Sequence, residues 1–106
     1  MRVADAFYTY AIPEKKWNCI RKKIEKCKNI KSLFVVCFPL APDGILEIYP
    51  YKILLQPYYQ KNYKDITIIG VAKNMDGAKR IVLEIIQDMY DATDGTCFDA
   101  RTFFAD

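Results

Sequence analysis

The chain has 106 residues, 52% of them hydrophobic and 27% charged, with a formal net charge of +3 at pH 7. This length is typical of a single domain, and this composition excludes a disordered or low-complexity polypeptide. The chain contains no histidine, which removes Ser–His and Cys–His nucleophile–base pairs, histidine-containing zinc sites and the commonest general base.

The apolar segments are short, and this favours a cytoplasmic location. The longest uninterrupted apolar stretch runs from Leu33 to Ala41, far short of the roughly 18 residues of a membrane-spanning helix. Asp5 stands where a signal peptide would have its apolar segment. We therefore expect an intracellular, cytoplasmic protein with no membrane partner.

The cysteines fit that location. They are Cys19, Cys27, Cys37 and Cys97. Cys19 and Cys27 share a predicted helix, on which their separation is about 12 Å, whereas a disulfide requires Cα atoms closer than about 7 Å. The sequence has no Cys-x-x-Cys pair that could hold a zinc ion. We expect reduced thiols.

The first 30 residues predict a strand followed by a helix. Residues 3–12 are rich in strand-favouring Phe, Tyr and Thr. Pro13 suits the first turn of a helix, because its missing N–H is not needed there. Apolar residues then recur at spacings of three and four, at Trp17, Ile20, Ile24 and Cys27. This single stripe predicts an amphipathic helix over about residues 13–30.

A hairpin and a further strand are predicted next. Residues 33–38 are apolar at every position, which is typical of a central strand covered on both faces. The sequence Ala-Pro-Asp-Gly at 41–44 predicts a turn, so residues 45–49 should return as the second strand. Pro50 cannot donate a sheet hydrogen bond, and it predicts a bulge or break before another strand at 52–56.

The second half of the chain predicts a loop, a strand and a long helix. Residues 57–65 resemble a polar, aromatic loop, and residues 66–72 a strand. Asn74 is a suitable N-cap for a helix over about 75–92, with Gly95 available for a left-handed cap at its end. The predicted core face of this helix consists of Ala78, Ile81, Val82, Ile85 and Met89.

The predicted order is β-α-β-β-β-β-α in one α+β domain over residues 1–106. It indicates a two-layer sandwich, with a mainly antiparallel sheet of four to five strands and two helices on one face. The order resembles a ferredoxin-like layout with an enlarged meander, and this likeness of fold implies no function. Residues 97–106, rich in phenylalanine, should dock on the body as coil or as a short edge strand.

Uneven charge suggests nucleic-acid binding as one alternative function. Residues 1–40 carry nine basic and three acidic residues, whereas residues 81–106 carry one and six. A basic first helix and a loop of interleaved tyrosines and lysines could hold a single strand without reading its sequence. The alternative interpretation is a solvated helix face and tyrosines that pack. The candidate residues are Lys15, Lys22, Lys26, Tyr58, Tyr59, Lys61, Tyr63 and Lys64.

A reactive thiol is another alternative, and Cys19 is the weak catalytic candidate. On the predicted helix it lies beside lysines and away from the apolar stripe, and nearby positive charge favours the thiolate. This would suit a small ligand-binding protein or a histidine-free enzyme. Against it, cysteine is more often buried and inert, and the chain offers no histidine to accept the proton.

No cofactor or metal is predicted. The aspartates at positions 88, 91, 94 and 99 do not follow the spacing of a calcium loop, and a solvated acidic face explains them better. The junction at residues 70–77 lacks the glycine-rich run and the Gly-Lys-Ser/Thr ending of a phosphate-binding loop.

The second long helix has more apolar residues than one core face requires. Leu83, Ile86 and Tyr90 form a second ridge beside that face, and a covered apolar ridge commonly means a partner or a second copy. The alternative is that the aromatic C-terminal segment covers the ridge. The leading hypothesis is a non-enzymatic protein-interaction or accessory domain that self-associates, forming a homo-oligomer such as a dimer.

Overall fold

Four strands form one sheet in the computed structural model, which describes residues 1–40, 44–63, 65–95 and 100–104. They are β1 (Arg2–Tyr10), β2 (Phe34–Cys37), β3 (Glu47–Pro50) and β4 (Thr67–Ala72). All four coincide with segments rich in β-branched or aromatic residues, which favour extended backbone. These strands match the sequence predictions; residues 41–43 of the predicted hairpin turn lie outside the described residues.

The strand order in the sheet is β1-β4-β2-β3. β1 runs parallel to β4, whereas β2 is antiparallel to both β4 and β3. Every residue of β2 and β4 after the first is buried, as expected of the central strands of a sheet. Pro50 ends the edge strand β3, where a missing N–H donor costs little.

Five helices pack on or beside this sheet in the described part of the chain. They are α1 (Trp17–Glu25), α2 (Tyr51–Leu54), α3 (Pro57–Asn62), α4 (Met75–Thr93) and α5 (Ala100–Phe103). A single 3-10 turn, Glu14–Lys16, precedes α1. No helix within the described ranges combines the length and the apolarity needed to cross a membrane.

Alternate residues of β2 belong to two separate hydrophobic clusters. Val35 lies in the cluster that contains Ile24 of α1, and Val36 lies in the cluster that contains Ile81 of α4. Because successive strand residues point to opposite sides of a sheet, α1 and α4 cover opposite faces. The α+β class and the mainly antiparallel sheet with packed helices are confirmed, while the placement of both long helices on one face is corrected.

The first helix is shorter than the predicted range 13–30. It ends at Glu25, and Cys27 then adopts a left-handed conformation with φ of 54°. Ile24 is fully buried, and Trp17 and Ile20 are half-buried beside it. The Trp17 indole Nε1 donates to the Ile12 carbonyl at 2.9 Å, which fixes the start of the helix to the end of β1.

Two short helices replace the strand predicted at 52–56 and the loop predicted at 57–65. α2 follows Pro50, and α3 begins with Pro57. Proline fixes φ near a helical value and lacks only the N–H that a first helical turn leaves unused, so both prolines open helices. Tyr51 is fully buried, and its hydroxyl donates to the Lys28 carbonyl at 2.7 Å.

The predicted helix over 75–92 is confirmed as α4. The Asn74 side chain accepts a hydrogen bond from the Gly77 backbone N–H at 2.7 Å, which is an N-cap. At the other end Asp94 has φ of 52° and Gly95 has φ of 76°. The helix therefore stops where Thr-Asp-Gly predicted it, with Asp94 rather than Gly95 as the left-handed cap.

The C-terminal aromatic residues pack on the α4 face of the sheet. Phe103 and Phe104 join the cluster that contains Ile81, and the Phe104 ring lies 6.1 Å from Tyr8 and 5.9 Å from Phe38, between ring centroids. Docking is thus confirmed for Ala100, Phe103 and Phe104, in a short helix rather than in coil or an edge strand. Residues 96–99 and 105–106 lie outside the described residues.

Candidate functional site

The outer side of α4 carries two large, exposed apolar side chains. Leu83 is 68% exposed and Tyr90 is 52% exposed. They lie seven residues, or about two helical turns, apart and therefore share one side of the helix. Ile86, the third residue of the predicted ridge, is half-buried. We call the exposed side of α4 that contains Leu83 and Tyr90 the α4 outer face.

The described part of the C-terminal segment does not cover this face. Phe103 and Phe104 pack instead with Tyr8 and Phe38, on the side of α4 that meets the sheet. Residues 100–104 therefore do not provide the cover that one of the two interpretations of the apolar ridge assigned to the aromatic terminus.

Exposed charged side chains lie near both ends of α4. Lys79 and Arg80 lie in its first half, and Asp91 and Asp94 lie at its end. All four side chains are exposed. Lys79, Leu83 and Tyr90 recur at spacings that keep them on one side of the helix, and the exposed Asp76 of the first turn lies on the same side, seven residues before Leu83. Asp94 is the left-handed residue that directly follows the helix.

The sequence predicted a solvated acidic face that includes Asp88, and the structure corrects this for Asp88, which is half-buried and bonded to β1. The Tyr8 hydroxyl donates to Asp88 Oδ2 at 2.5 Å. Burial, and then the hydrogen bond to this carboxylate, raise the pKa of Tyr8 well above its ordinary value. The pair joins β1 to α4.

A basic groove lies on another part of the surface, formed by three adjoining cavities. Their volumes are about 310, 490 and 770 Å³. The middle cavity shares Cys19 and Lys23 with the smallest, and it shares residues 30–33 and Lys73 with the largest. The lysines that line the three cavities are Lys16, Lys22, Lys23, Lys26, Lys28, Lys31, Lys52 and Lys73. We call this surface the lysine groove.

Cys19 opens into the lysine groove. It is exposed and lines two of the cavities together with Lys23, as the helical spacing predicted. Within the described chain, no Asp or Glu lines these cavities to accept a thiol proton. The predicted reactive thiol stays a prediction. Cys19 and Cys27 are not joined to each other.

The predicted tyrosine loop is a packed helical cluster. Tyr59 of α3 and Tyr63, which follows that helix, stack with ring centroids 5.8 Å apart, and Tyr59 also meets Tyr49 of β3 edge to face. Of Tyr58, Tyr59 and Tyr63, only Tyr58 is exposed, at 59%. The cluster supports the packing interpretation for Tyr59 and Tyr63. Lys64 lies outside the described residues.

The proposed nucleic-acid residues do not come together as one surface. Lys22 and Lys26 line the lysine groove, whereas Lys15 and Lys61 are exposed without lining it. The groove instead contains lysines that sequence reasoning missed, namely Lys28, Lys31, Lys52 and Lys73. Their signal was position: each lies in or beside a junction between elements, where side chains from several elements meet.

The described residues contain no cluster of three or more His, Cys, Asp or Glu that could hold a metal ion. Asp91 and Asp94 are exposed, and the Gln87 side-chain amide donates to Asp91 Oδ1 at 3.0 Å. Asp99, the last of the predicted acidic set, lies outside the described residues.

Comparison with known proteins finds no match to a family model, to a curated protein or to a solved structure. The function proposed below therefore rests on the geometry of α4 and of the lysine groove alone.

Proposed function

We propose that this chain is a non-enzymatic protein-interaction module that self-associates through the α4 outer face. The supporting observation is the exposure of Leu83 and Tyr90, two turns apart on one side of the longest helix. Burying them against a second copy would remove apolar surface from water, the dominant favourable term in protein association. A cytoplasmic location is part of this proposal and is supported by the exposed thiol of Cys19.

The charge pattern favours an antiparallel pair of α4 helices. A two-fold axis between Ile86 and Gln87 places Leu83 opposite Tyr90 of the second copy. The same axis brings Lys79 toward Asp94, which directly follows the last helical residue of the second copy. A two-fold interface is made of the same patch on both copies, so each contact occurs twice. A parallel arrangement would instead set Lys79 against Lys79, which is repulsive.

Sedimentation equilibrium at micromolar concentration tests the proposal. We expect the chain to be a dimer, and Leu83→Glu to shift it to monomer by placing a carboxylate in the apolar contact. Met75→Glu is the matched control: Met75 is a 38% exposed apolar residue of the same helix and lies off the Leu83–Tyr90 side. A monomeric wild-type chain, or a dimer that Leu83→Glu leaves intact, would contradict the proposal.

A further inference from the structure

The lysine groove lies where the ends of several elements meet. Ile12 follows β1, Lys73 follows β4, and Leu33 precedes β2. Because β1 and β4 are parallel, both present their carboxyl ends to this edge of the sheet. That edge is where open sheets with parallel strands place their ligand crevices.

The groove carries positive charge that the described chain does not neutralise. All eight of its lysines are exposed, and none forms an ion pair within the described ranges. The salt bridge found in these ranges joins Arg21 to Asp5 at 3.6 Å, outside the groove. The described lining contains no Asp or Glu. Clefts lined by charge of one sign concentrate oppositely charged partners, so the groove selects an anion.

The floor of the groove is aliphatic. Ile20 and Ile30 are half-buried and line the middle cavity, and Leu33 lies buried beneath them. Phe34, also half-buried, lines the largest cavity and is the one aromatic residue of the described lining. A surface of this kind accepts aliphatic side chains. It lacks the row of exposed rings on which the bases of a single nucleic-acid strand stack.

We infer that the lysine groove binds an acidic polypeptide segment that also carries aliphatic side chains. The lysines bind its carboxylates, and the isoleucine floor receives its apolar residues. Three adjoining cavities, with volumes of about 310, 490 and 770 Å³, suit an extended chain that passes through each in turn. This is a second surface, separate from the α4 outer face, and it does not depend on self-association.

Fluorescence anisotropy with three labelled probes tests this assignment. The first is a 16-residue peptide of Glu, Leu and Ser; the second has the same Glu content with every Leu replaced by Ser; the third is a single-stranded oligo-dT of similar charge. We expect the first peptide to bind on the order of tenfold more tightly than the second, because only the first uses the aliphatic floor. Oligo-dT binding more tightly than the first peptide, or no peptide binding at 100 µM (about the limit of the assay), would overturn the assignment.

Two matched variants locate the binding. Lys31→Glu with Lys73→Glu reverses two lysines that line both larger cavities. Lys15→Glu with Lys61→Glu makes the same change of net charge at exposed positions outside the groove. We expect the first pair to weaken peptide binding on the order of tenfold or more, and the second pair to have a much smaller effect. If both double variants lost peptide affinity equally, the peptide would be attracted by net charge alone, and the assignment of the binding site to the lysine groove would be overturned.

Peptide binding by the lysine groove and self-association through the α4 outer face can be tested independently of each other. Leu83→Glu lies on the α4 outer face, away from the described groove lining. We expect this variant to bind the Glu-Leu-Ser peptide with unchanged affinity whatever its oligomeric state. A peptide affinity that falls together with dimerisation would show that the groove is not an independent site.

Discussion

The Tyr8 hydroxyl donates to the Asp88 carboxylate at 2.5 Å, joining β1 to α4 across 80 residues of sequence. Tyr8 is half-buried, and its ring also packs edge to face on Phe104. One side chain thus connects the edge strand, the long helix and the C-terminal aromatic segment.

Replacing Tyr8 by Phe should therefore destabilise the fold by about 1–2 kcal/mol, since the ring packing is kept and one charge-assisted hydrogen bond is lost. Urea denaturation followed by circular dichroism measures this free energy of unfolding. Tyr10→Phe is the matched control, because Tyr10 is 40% exposed on the same strand, and it should change stability by less than about 0.5 kcal/mol. Equal losses in the two variants would contradict the role given to the bond.

The same hydrogen bond predicts a dependence on alkaline pH. Burial and Asp88 raise the pKa of the Tyr8 hydroxyl above its ordinary value of 10.0, so the folded chain holds this proton more tightly than the unfolded chain. The stabilisation is complete below about pH 10 and is lost as the pH rises further. Burial also raises the pKa of Tyr51, to about 12, so the wild-type chain loses stability from more than one tyrosine.

The unfolding free energy should therefore decrease less between pH 8 and pH 11 for Tyr8→Phe than for the wild-type chain. The phenylalanine variant lacks the hydroxyl whose proton the folded state retains. The outcome that contradicts the account is an identical fall in both proteins.

Gly70 of β4 lies against Ile81 of α4. A Cβ atom built at Gly70 would lie 2.7 Å from Ile81 Cγ2 and 3.4 Å from Val36 Cβ. Gly70→Ala should thus destabilise the fold by about 1–3 kcal/mol through overpacking. Adding Ile81→Ala relieves the contact, so the double variant should cost less than the sum of the two single variants. Strict additivity would mean that the contact with Ile81 is not what makes an alanine at position 70 costly.

Gly95 follows the left-handed cap of α4 and itself has φ of 76°. A Cβ there would also lie 2.7 Å from the Tyr90 ring. Gly95→Ala should lower the free energy of unfolding by about 1 kcal/mol, mainly because alanine resists positive φ. In a Tyr90→Ala background the ring contact is gone and the cost should persist, whereas its disappearance would assign the effect to the contact.

The sequence predicted the elements whose patterns are local. β2 is apolar throughout, and α4 has a strong apolar stripe, an N-cap at Asn74 and a Thr-Asp-Gly stop, so both appear nearly where expected. The strand predicted at 52–56 and the loop predicted at 57–65 were wrong, because a proline such as Pro50 or Pro57 can equally well interrupt a strand or begin a helix. In the structure Tyr51 is fully buried in the core, a tertiary contact that a local sequence pattern does not predict.

That helices cover both faces of the sheet could have been deduced from the sequence, since a strand that is apolar at every position needs cover on both sides. A stripe on each helix gives the direction of its core but not which face it covers. The lysine groove was signalled only by the positions of Lys31, Lys52 and Lys73 at separate junctions, and these lysines meet only after folding. Leu83 and Tyr90 were found from spacing, and the structure adds their exposure.

The antiparallel pairing of two α4 helices is tested most directly by mixing two charge-reversed variants, Lys79→Glu and Asp94→Lys. Each variant alone places like charges opposite each other, and the account predicts that both are mainly monomeric at the concentration where the wild-type chain is a dimer. In the mixture each pair again joins opposite charges, so sedimentation should show dimers containing one copy of each. If the mixture stays as monomeric as its components while the wild-type chain dimerises, α4 does not pair in this way.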